Sequence, residues 1–189
     1  QILYISAMSR HASGRLRGGV VGTLMTNLGL EHALAEIQIP FKRAQVGDRH
    51  VMSLLHQEGW ELGGETSGHI ICLDKSSTGD GIVAALEILA VLVQTGKSLA
   101  ELKSGMQVYP QTMINVRMKQ RFDIKSSKEV MTTLSEVEKE LSTHGRVVLR
   151  ASGTEPVVRV MVEGRDAQLI ERLGQALAET VRRAAELAA

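Results

Sequence analysis

R-A-S-G-T-E-P-V-V-R, residues 150–159, brings two arginines, two hydroxyl side chains and a glycine into ten positions. Apolar residues on both sides predict strands over 147–150 and 157–162, with this segment as the loop between them. Arginine offers planar, permanently charged donors, and glycine lets successive backbone N–H groups converge on an anion. A polar β-turn without a ligand is the alternative, because Ser, Gly, Thr and Pro are common turn residues. The functional interpretation is a phosphate-binding loop formed by Arg150, Ser152, Gly153, Thr154 and Arg159.

The residues around this loop predict a small α+β domain. Alternation over 112–117 indicates a third strand, and apolar residues at helical spacing indicate two helices, over 130–141 and 169–181. The order β-α-β-β-α over 108–189 predicts an antiparallel sheet with two helices.

Residues 1–107 have the rhythm of an α/β domain. Short apolar strands alternate with amphipathic helices, which predicts a mixed sheet of the βαβ type and, with the second domain, an α/β plus α+β chain. The helix over 81–93, which Asp80 is placed to cap, is apolar on nearly every face. We therefore expect this helix to be sandwiched inside its domain.

A second polar motif, G-E-T-S-G-H, occupies residues 64–69 between two predicted strands. In an extended segment Glu65 and Ser67 point the same way, so the carboxylate could accept from two sugar hydroxyls while the serine donates or accepts. The alternative is a tight hairpin whose glutamate is merely solvated.

Composition and spacing exclude several classes of function. The net charge of +1 gives no case for a nucleic-acid or anionic membrane surface, and the single Cys72 fits a reducing, cytoplasmic location. The motif lacks the G-x-S-x-G spacing of a hydrolase nucleophile, and the six histidines have no metal-ligand spacing. We therefore expect no catalytic nucleophile and no metal site in this chain. Its start at Gln1 suggests a part of a longer protein.

Both motifs resemble those of one enzyme family. R-A-S-G-T-E-P-V-V-R-V-M-V-E resembles the phosphate-binding loop in the last domain of α-D-phosphohexomutases, in the form found in phosphoglucosamine mutases, and G-E-T-S-G-H matches their sugar-binding loop. V-G-D-R, residues 46–49, resembles a family loop near the substrate, which makes Arg49 a candidate phosphate contact; an exposed arginine at a helix start is the alternative. G-T-L-M-T-N, residues 22–27, also matches, although a strand end with a helix cap explains it better.

The resemblance implies a four-domain enzyme, with 1–107 as its third domain and 108–189 as its last. Such enzymes interconvert glucosamine 6-phosphate and glucosamine 1-phosphate, for cell-wall precursors, through a bisphosphorylated intermediate. This part would bind substrate through Arg49, Glu65, Ser67 and His69 and through the phosphate loop. The phosphoserine and Mg²⁺ sites would lie in the missing N-terminal domains, which would be its partners, and glucosamine or glucose 1,6-bisphosphate would be the activator. A homodimer, phosphomannomutase or phosphoglucomutase specificity, and a non-catalytic sugar-phosphate-binding module remain open alternatives.

Overall fold

The computed structural model describes residues 1–119, 123–152 and 155–187. The chain divides into two compact units, Gln1–Val108 and Tyr109–Ala189, called the first and second units below. Among the described residues, no helix combines the length and the apolar character needed to cross a membrane.

The first unit is built on a four-stranded mixed sheet, as predicted. The strand order is β2-β1-β3-β4, in which β1 runs parallel to β2 and β3 while β4 is antiparallel to β3. Its elements are α1 (Ile2–Ala12), β1 (Val20–Thr23), α2 (Leu28–Glu36), β2 (Phe41–Ala44), α3 (Asp48–Glu58), β3 (Leu62–Gly64), β4 (Ile70–Cys72), α4 (Gly81–Thr95) and α5 (Leu99–Leu102).

This sheet has a core on each side, which gives an α/β/α arrangement. Val20 packs in a cluster with residues of α1, α2 and α4, whereas its neighbour Val21 packs in a cluster with residues of α3. Consecutive strand residues face opposite sides, so strands with both faces covered are apolar throughout. Burying each such valine or leucine contributes about 1.5–3 kcal/mol relative to leaving it in water.

A buried ion cluster holds the inner side of α4 against α1. Arg10 of α1 donates from Nε to Glu87 Oε1 and from Nη1 to Asp74 Oδ1, both at 2.8 Å. Burial raises the pKa of the Asp74 carboxyl, but the hydrogen bond and charge of Arg10 outweigh it, and the pKa lies below its ordinary value. Glu87, the one charge within the apolar run of α4, is therefore a structural anchor.

The prediction that α4 is sandwiched inside its domain is wrong. The helix buries only one side, through Ala84, Ile88 and Val91. The opposite side exposes a row of large apolar residues, called the α4 stripe: Ile82 (74%), Leu86 (59%), Leu89 (54%) and Val93 (84%). A helix that is apolar on both sides needs a packing surface on each of them. The described residues of the first unit cover only one side.

The second unit has the predicted order β-α-β-β-α. Its elements are β5 (Gln111–Arg117), α6 (Lys128–Leu141), β6 (Gly145–Ala151), β7 (Val157–Gly164) and α7 (Ala167–Leu187), with a short 3-10 turn at Ile124–Ser126 before α6. The sheet is antiparallel in the order β5-β7-β6. One face packs against α6 and α7 in a core that includes Val116, Val158, Val160 and Val162.

Candidate functional site

Three loops of the first unit leave the sheet at the same edge. β1 lies between β2 and β3 and is parallel to both, so the carboxyl ends of these strands lie together. The segments that follow them, 24–27, 45–47 and 65–69, therefore meet where open α/β sheets usually bind their ligands. This edge carries the predicted residues Arg49, Glu65, Ser67 and His69.

The G-E-T-S-G-H motif forms the turn of the β3–β4 hairpin. Gly68 N donates to Glu65 O at 3.1 Å and Glu65 N donates to His69 O at 2.9 Å, while Gly68 has a φ of +98°. The expectation of an extended segment is therefore wrong, because this backbone closes into a turn. Ser67 and His69 are exposed in it, and Glu65 is partly buried.

A hydrogen bond joins this hairpin to the V-G-D-R loop. Gly47 N donates to Glu65 Oε2 at 2.8 Å, and Gly47 has a φ of +123°, a conformation that glycine adopts readily. Asp48 Oδ1 accepts from Arg49 N at 2.7 Å, and Arg49 Nε lies 3.3 Å from His50 Nε2. The structure thus brings Glu65 and the segment before Arg49 together, although they are distant in sequence.

The segments 22–27 and 78–82 make local structural contacts at the same edge. Asn27 caps α2 by accepting from Gly29 N at 3.0 Å, and Thr26 Oγ1 accepts from Thr23 N at 2.8 Å. Asp80 caps α4 by accepting from Ile82 N at 2.8 Å and Val83 N at 3.0 Å. The capping interpretations are therefore confirmed.

A cavity of about 690 Å³ adjoins the hairpin. Glu65, Thr66 and Gly68 line one end of it, and the other walls are mostly apolar residues of α1, α2 and α4. The polar side chains of its lining are those of Glu65 and Thr66 in the hairpin, of Thr26 and Asn27 before α2, and of Gln1.

In the second unit, Ser152 lies at the start of the predicted phosphate loop. Ser152 N donates to Val157 O at 2.7 Å, and its Oγ accepts from Glu155 N at 3.3 Å. Gly153 and Thr154, which the sequence places in the same site, lie outside the described residues.

The strand register places Arg150 directly opposite Arg159. Like charges opposite each other destabilise a sheet, and none of the carboxylates in the described residues pairs with either arginine. On the same face, Arg146 is opposite Glu163 and forms an ion pair with it. Arg146 is therefore neutralised by a carboxylate, whereas Arg150 and Arg159, next to the loop, are not neutralised within the described part of the chain. This difference is expected where an anion binds.

The sequence interpretation missed two further polar residues beside this pair. Asn115 is opposite Arg159, and Arg117 lies two residues further along β5, so both share the face of the arginines. The alternation of Asn115 and Arg117 with Ile114 and Val116 was the available signal, but the neighbouring strand could not be identified without the register.

Metal coordination finds no support within the described ranges of the chain. No group of three or more His, Cys, Asp or Glu side chains in them is arranged to hold an ion. The acidic side chains at the sheet edge are instead engaged with backbone N–H groups, as Glu65, Asp48 and Asp80 show.

Two family models match the chain. The model described as phosphoglucomutase/phosphomannomutase, alpha/beta/alpha domain III, matches residues 1–109. The model described as phosphoglucomutase/phosphomannomutase, C-terminal domain, matches residues 113–180.

Curated relatives are similar over nearly the whole chain. The phosphoglucosamine mutases of Thiobacillus denitrificans and Methylobacillus flagellatus are 54% and 55% identical to it over 185 residues, which is 98% of the chain. The chain spans only 40% and 41% of the length of these relatives.

Solved structures share the fold at low identity. Aspergillus fumigatus N-acetylphosphoglucosamine mutase in complex with GlcNAc-6P and magnesium gives a TM-score of 0.80 at 19% identity, over 97% of this chain and 43% of that one. A phosphoglucomutase/phosphomannomutase family protein from Burkholderia thailandensis gives 0.69 at 16% identity, over 97% and 41%.

Proposed function

Because the chain belongs to the phosphoglucomutase/phosphomannomutase family, we propose that it is the substrate-binding part of a phosphoglucosamine mutase. The reaction is the interconversion of glucosamine 6-phosphate and glucosamine 1-phosphate through a bisphosphorylated intermediate. Relatives at 54% and 55% identity, which are phosphoglucosamine mutases, favour glucosamine over the mannose or glucose specificity of sister enzymes.

The observation that carries the proposal is the opposition of Arg150 and Arg159. Two adjacent guanidiniums without a carboxylate partner cost stability, and a phosphate group offsets that cost by accepting bidentate, charge-assisted hydrogen bonds from them. Ser152, Gly153 and Thr154 begin two residues after Arg150 and would supply hydroxyl and backbone donors. This half of the chain then holds the phosphate that is not reacting.

The hairpin of the first unit is the proposed sugar-binding element. The bond from Gly47 N engages Oε2 of Glu65, which leaves Oε1 to accept from a sugar hydroxyl. Ser67 and His69 are exposed in the same turn, and Arg49 is exposed in the first turn of α3, directly after Gly47 and Asp48. Binding energy from hydroxyls and from the distal phosphate can position the reacting phosphate, which is how remote contacts accelerate a reaction.

The groups that exchange the phosphoryl group belong, in this proposal, to another part of the enzyme. The acidic residues of the described ranges do not fit Mg²⁺, because they form no cluster of ligands. We assign the phosphoserine, the Mg²⁺ site and the use of glucosamine or glucose 1,6-bisphosphate as activator to the part that precedes the third domain in the relatives. The single Cys72 suits the reducing cytoplasm. In this proposal the enzyme belongs to amino-sugar metabolism and supplies cell-wall precursors.

That preceding part is also the proposed partner of the α4 stripe. More than half of each relative's length lies outside the match, and the matched domains are the third and the C-terminal one. Gln1 and Leu89 both line the cavity beside the stripe, so a chain that enters at Gln1 in the relatives arrives at this surface. An apolar row of four residues is suited to packing against a further domain of the same polypeptide.

Titration calorimetry with glucosamine 6-phosphate tests the proposal on the 189-residue chain. We expect Arg150→Ala to weaken binding by about 10- to 100-fold, the range for one charged hydrogen-bonding group. Its melting temperature should not fall, because the substitution relieves a like-charge pair. Arg146→Ala is the control: it strands Glu163 and should lower the melting temperature while leaving binding nearly unchanged. Unchanged affinity in Arg150→Ala would contradict the phosphate assignment.

A non-catalytic sugar-phosphate-binding module is the remaining alternative. Such a module would give the same binding affinities in these titrations, but no mutase activity when the chain is combined with the preceding part of a relative. Recovery of mutase activity in that mixture supports the enzyme.

A further inference from the structure

We propose that Arg117 and Asn115 of β5 are part of the phosphate site, so that three guanidiniums surround the ligand. The inference rests on the proposed function for the identity of the anion. Neither residue lies in the loop that the sequence motif marks, and both come from a strand about 40 residues earlier in the chain.

The register of the second sheet places these side chains on one face. Asn115, Arg159 and Arg150 are paired in succession across β5, β7 and β6 and therefore form a single row. Arg117 is paired with Val157 in the next row on the same face. Adjacent strands are about 4.8 Å apart and diagonal neighbours about 7–8 Å, a separation that arginine side chains can bridge.

The distribution of charge singles out this end of the face. At the opposite end Arg146 is neutralised by Glu163. Near the loop, Arg117, Arg150 and Arg159 have no carboxylate partner among the described residues. Lys119, Arg121 and Glu155 are the other charged residues that adjoin this end of the sheet in sequence, and two of the three are basic, so the net charge there remains positive.

Three guanidiniums carry three positive charges, enough to neutralise a phosphate monoester, which carries about −1.5 to −2 at neutral pH. Arg117, exposed at the end of β5, can donate to a phosphate held at this end of the face, and the Asn115 amide adds a neutral donor. Ser152 already accepts from Glu155 N, so its hydroxyl proton remains available for the anion. The proposed donors to the phosphate thus come from all three strands and from Ser152 directly after β6.

The test is calorimetric titration of the 189-residue chain with inorganic phosphate at two salt concentrations. We expect Arg117→Ala to raise Kd about tenfold and Asn115→Ala to raise it about threefold, and Arg117→Ala to reduce the salt dependence of binding. Arg117→Lys should recover part of the loss, since it retains the charge but not the planar fork. Arg172→Ala on α7 is the matched control, because it removes the same charge from an exposed ion pair on a helix that covers the other face.

The outcomes separate this inference from the proposed function. If Arg150→Ala weakens phosphate binding and Arg117→Ala behaves like Arg172→Ala, Arg117 is outside the site and the proposed function stands. If neither Arg150→Ala nor Arg117→Ala changes Kd, or the unsubstituted chain does not bind phosphate in the millimolar range, both fall. Melting curves accompany each titration. The inference is also overturned if Arg117→Ala loses affinity only because it unfolds, while Arg117→Lys stays folded and keeps its affinity.

Discussion

Glu65 is oriented by a backbone donor on a different loop. Its Oε2 accepts from Gly47 N at 2.8 Å, so removing the side chain would disturb the hairpin as well as any ligand contact. Glu65→Gln keeps an oxygen for Gly47 but replaces the second acceptor with a donor. The substitution therefore tests sugar recognition with little damage to the loop.

We expect Glu65→Gln to weaken glucosamine 6-phosphate binding by about tenfold, the value of one hydrogen bond to a charged group. Binding of inorganic phosphate should be unchanged, because that anion does not engage the hairpin. Parallel titrations with both ligands provide the measurement, and Glu61→Gln, at the position directly before β3, is the control. Equal losses for the two ligands would mean that Glu65 supports the architecture only.

The residue types of the site were predictable from the sequence, but their spatial partners were not. Arg150 and Arg159 could be assigned because their strands adjoin one short loop. The bond between Gly47 and Glu65 spans 18 positions and depends on β2 and β3 flanking β1. The extended backbone assumed for this motif was wrong because the chain closes into a turn at Gly68, whose positive φ alternation cannot indicate.

The sequence of α4 predicts where the helix begins and how long it is, but not which of its sides is buried. The Asp80 cap and the apolar run predicted its start and length, since both signals are local. Its burial was mispredicted, because an apolar residue that packs against a neighbouring helix looks the same in sequence as one that its own domain leaves exposed. The α4 stripe therefore needs a test that separates folding from association.

We expect Leu86→Glu to leave the fold intact and to prevent association with the preceding domains. Leu86 is 59% exposed, and surface substitutions usually change stability by less than about 0.5 kcal/mol. Ile88→Ala, on the buried side, should instead destabilise the chain by about 2–5 kcal/mol. Melting curves and co-elution with the preceding part of the Thiobacillus denitrificans relative measure the two effects.

Met131→Glu on α6 is the matched control, because Met131 is also an exposed apolar residue, at 40%, but lies in the second unit. Normal co-elution of Leu86→Glu would contradict the assignment of the stripe. A homodimer of the unsubstituted chain that Leu86→Glu dissolves would assign the stripe to a second copy instead.

In the proposed function each unit contributes to recognition of a phosphosugar, but neither offers a recognisable means of transferring its phosphoryl group. Each unit has its own core, and each carries one motif of the family. Phosphoryl transfer needs a donor aligned with the acceptor oxygen and a cation that neutralises developing charge. The sequence has no counterpart of the family's phosphoserine loop or its D-G-D-G-D-R magnesium loop, and the described residues form no metal cluster.

We therefore expect the 189-residue chain to bind glucosamine 6-phosphate without converting it. The measurement is phosphorus NMR of the chain with glucosamine 6-phosphate, Mg²⁺ and catalytic glucose 1,6-bisphosphate, followed for the signal of the 1-phosphate. The complete Thiobacillus denitrificans relative serves as the positive control for the assay. A trace of a host mutase would give product that disappears on repurification, whereas product formation that stays proportional to the chain would reveal a nucleophile within these residues. Because transfer requires an in-line donor, that outcome would place the donor among side chains near the hairpin, and Ser67→Ala and His69→Ala would then identify it.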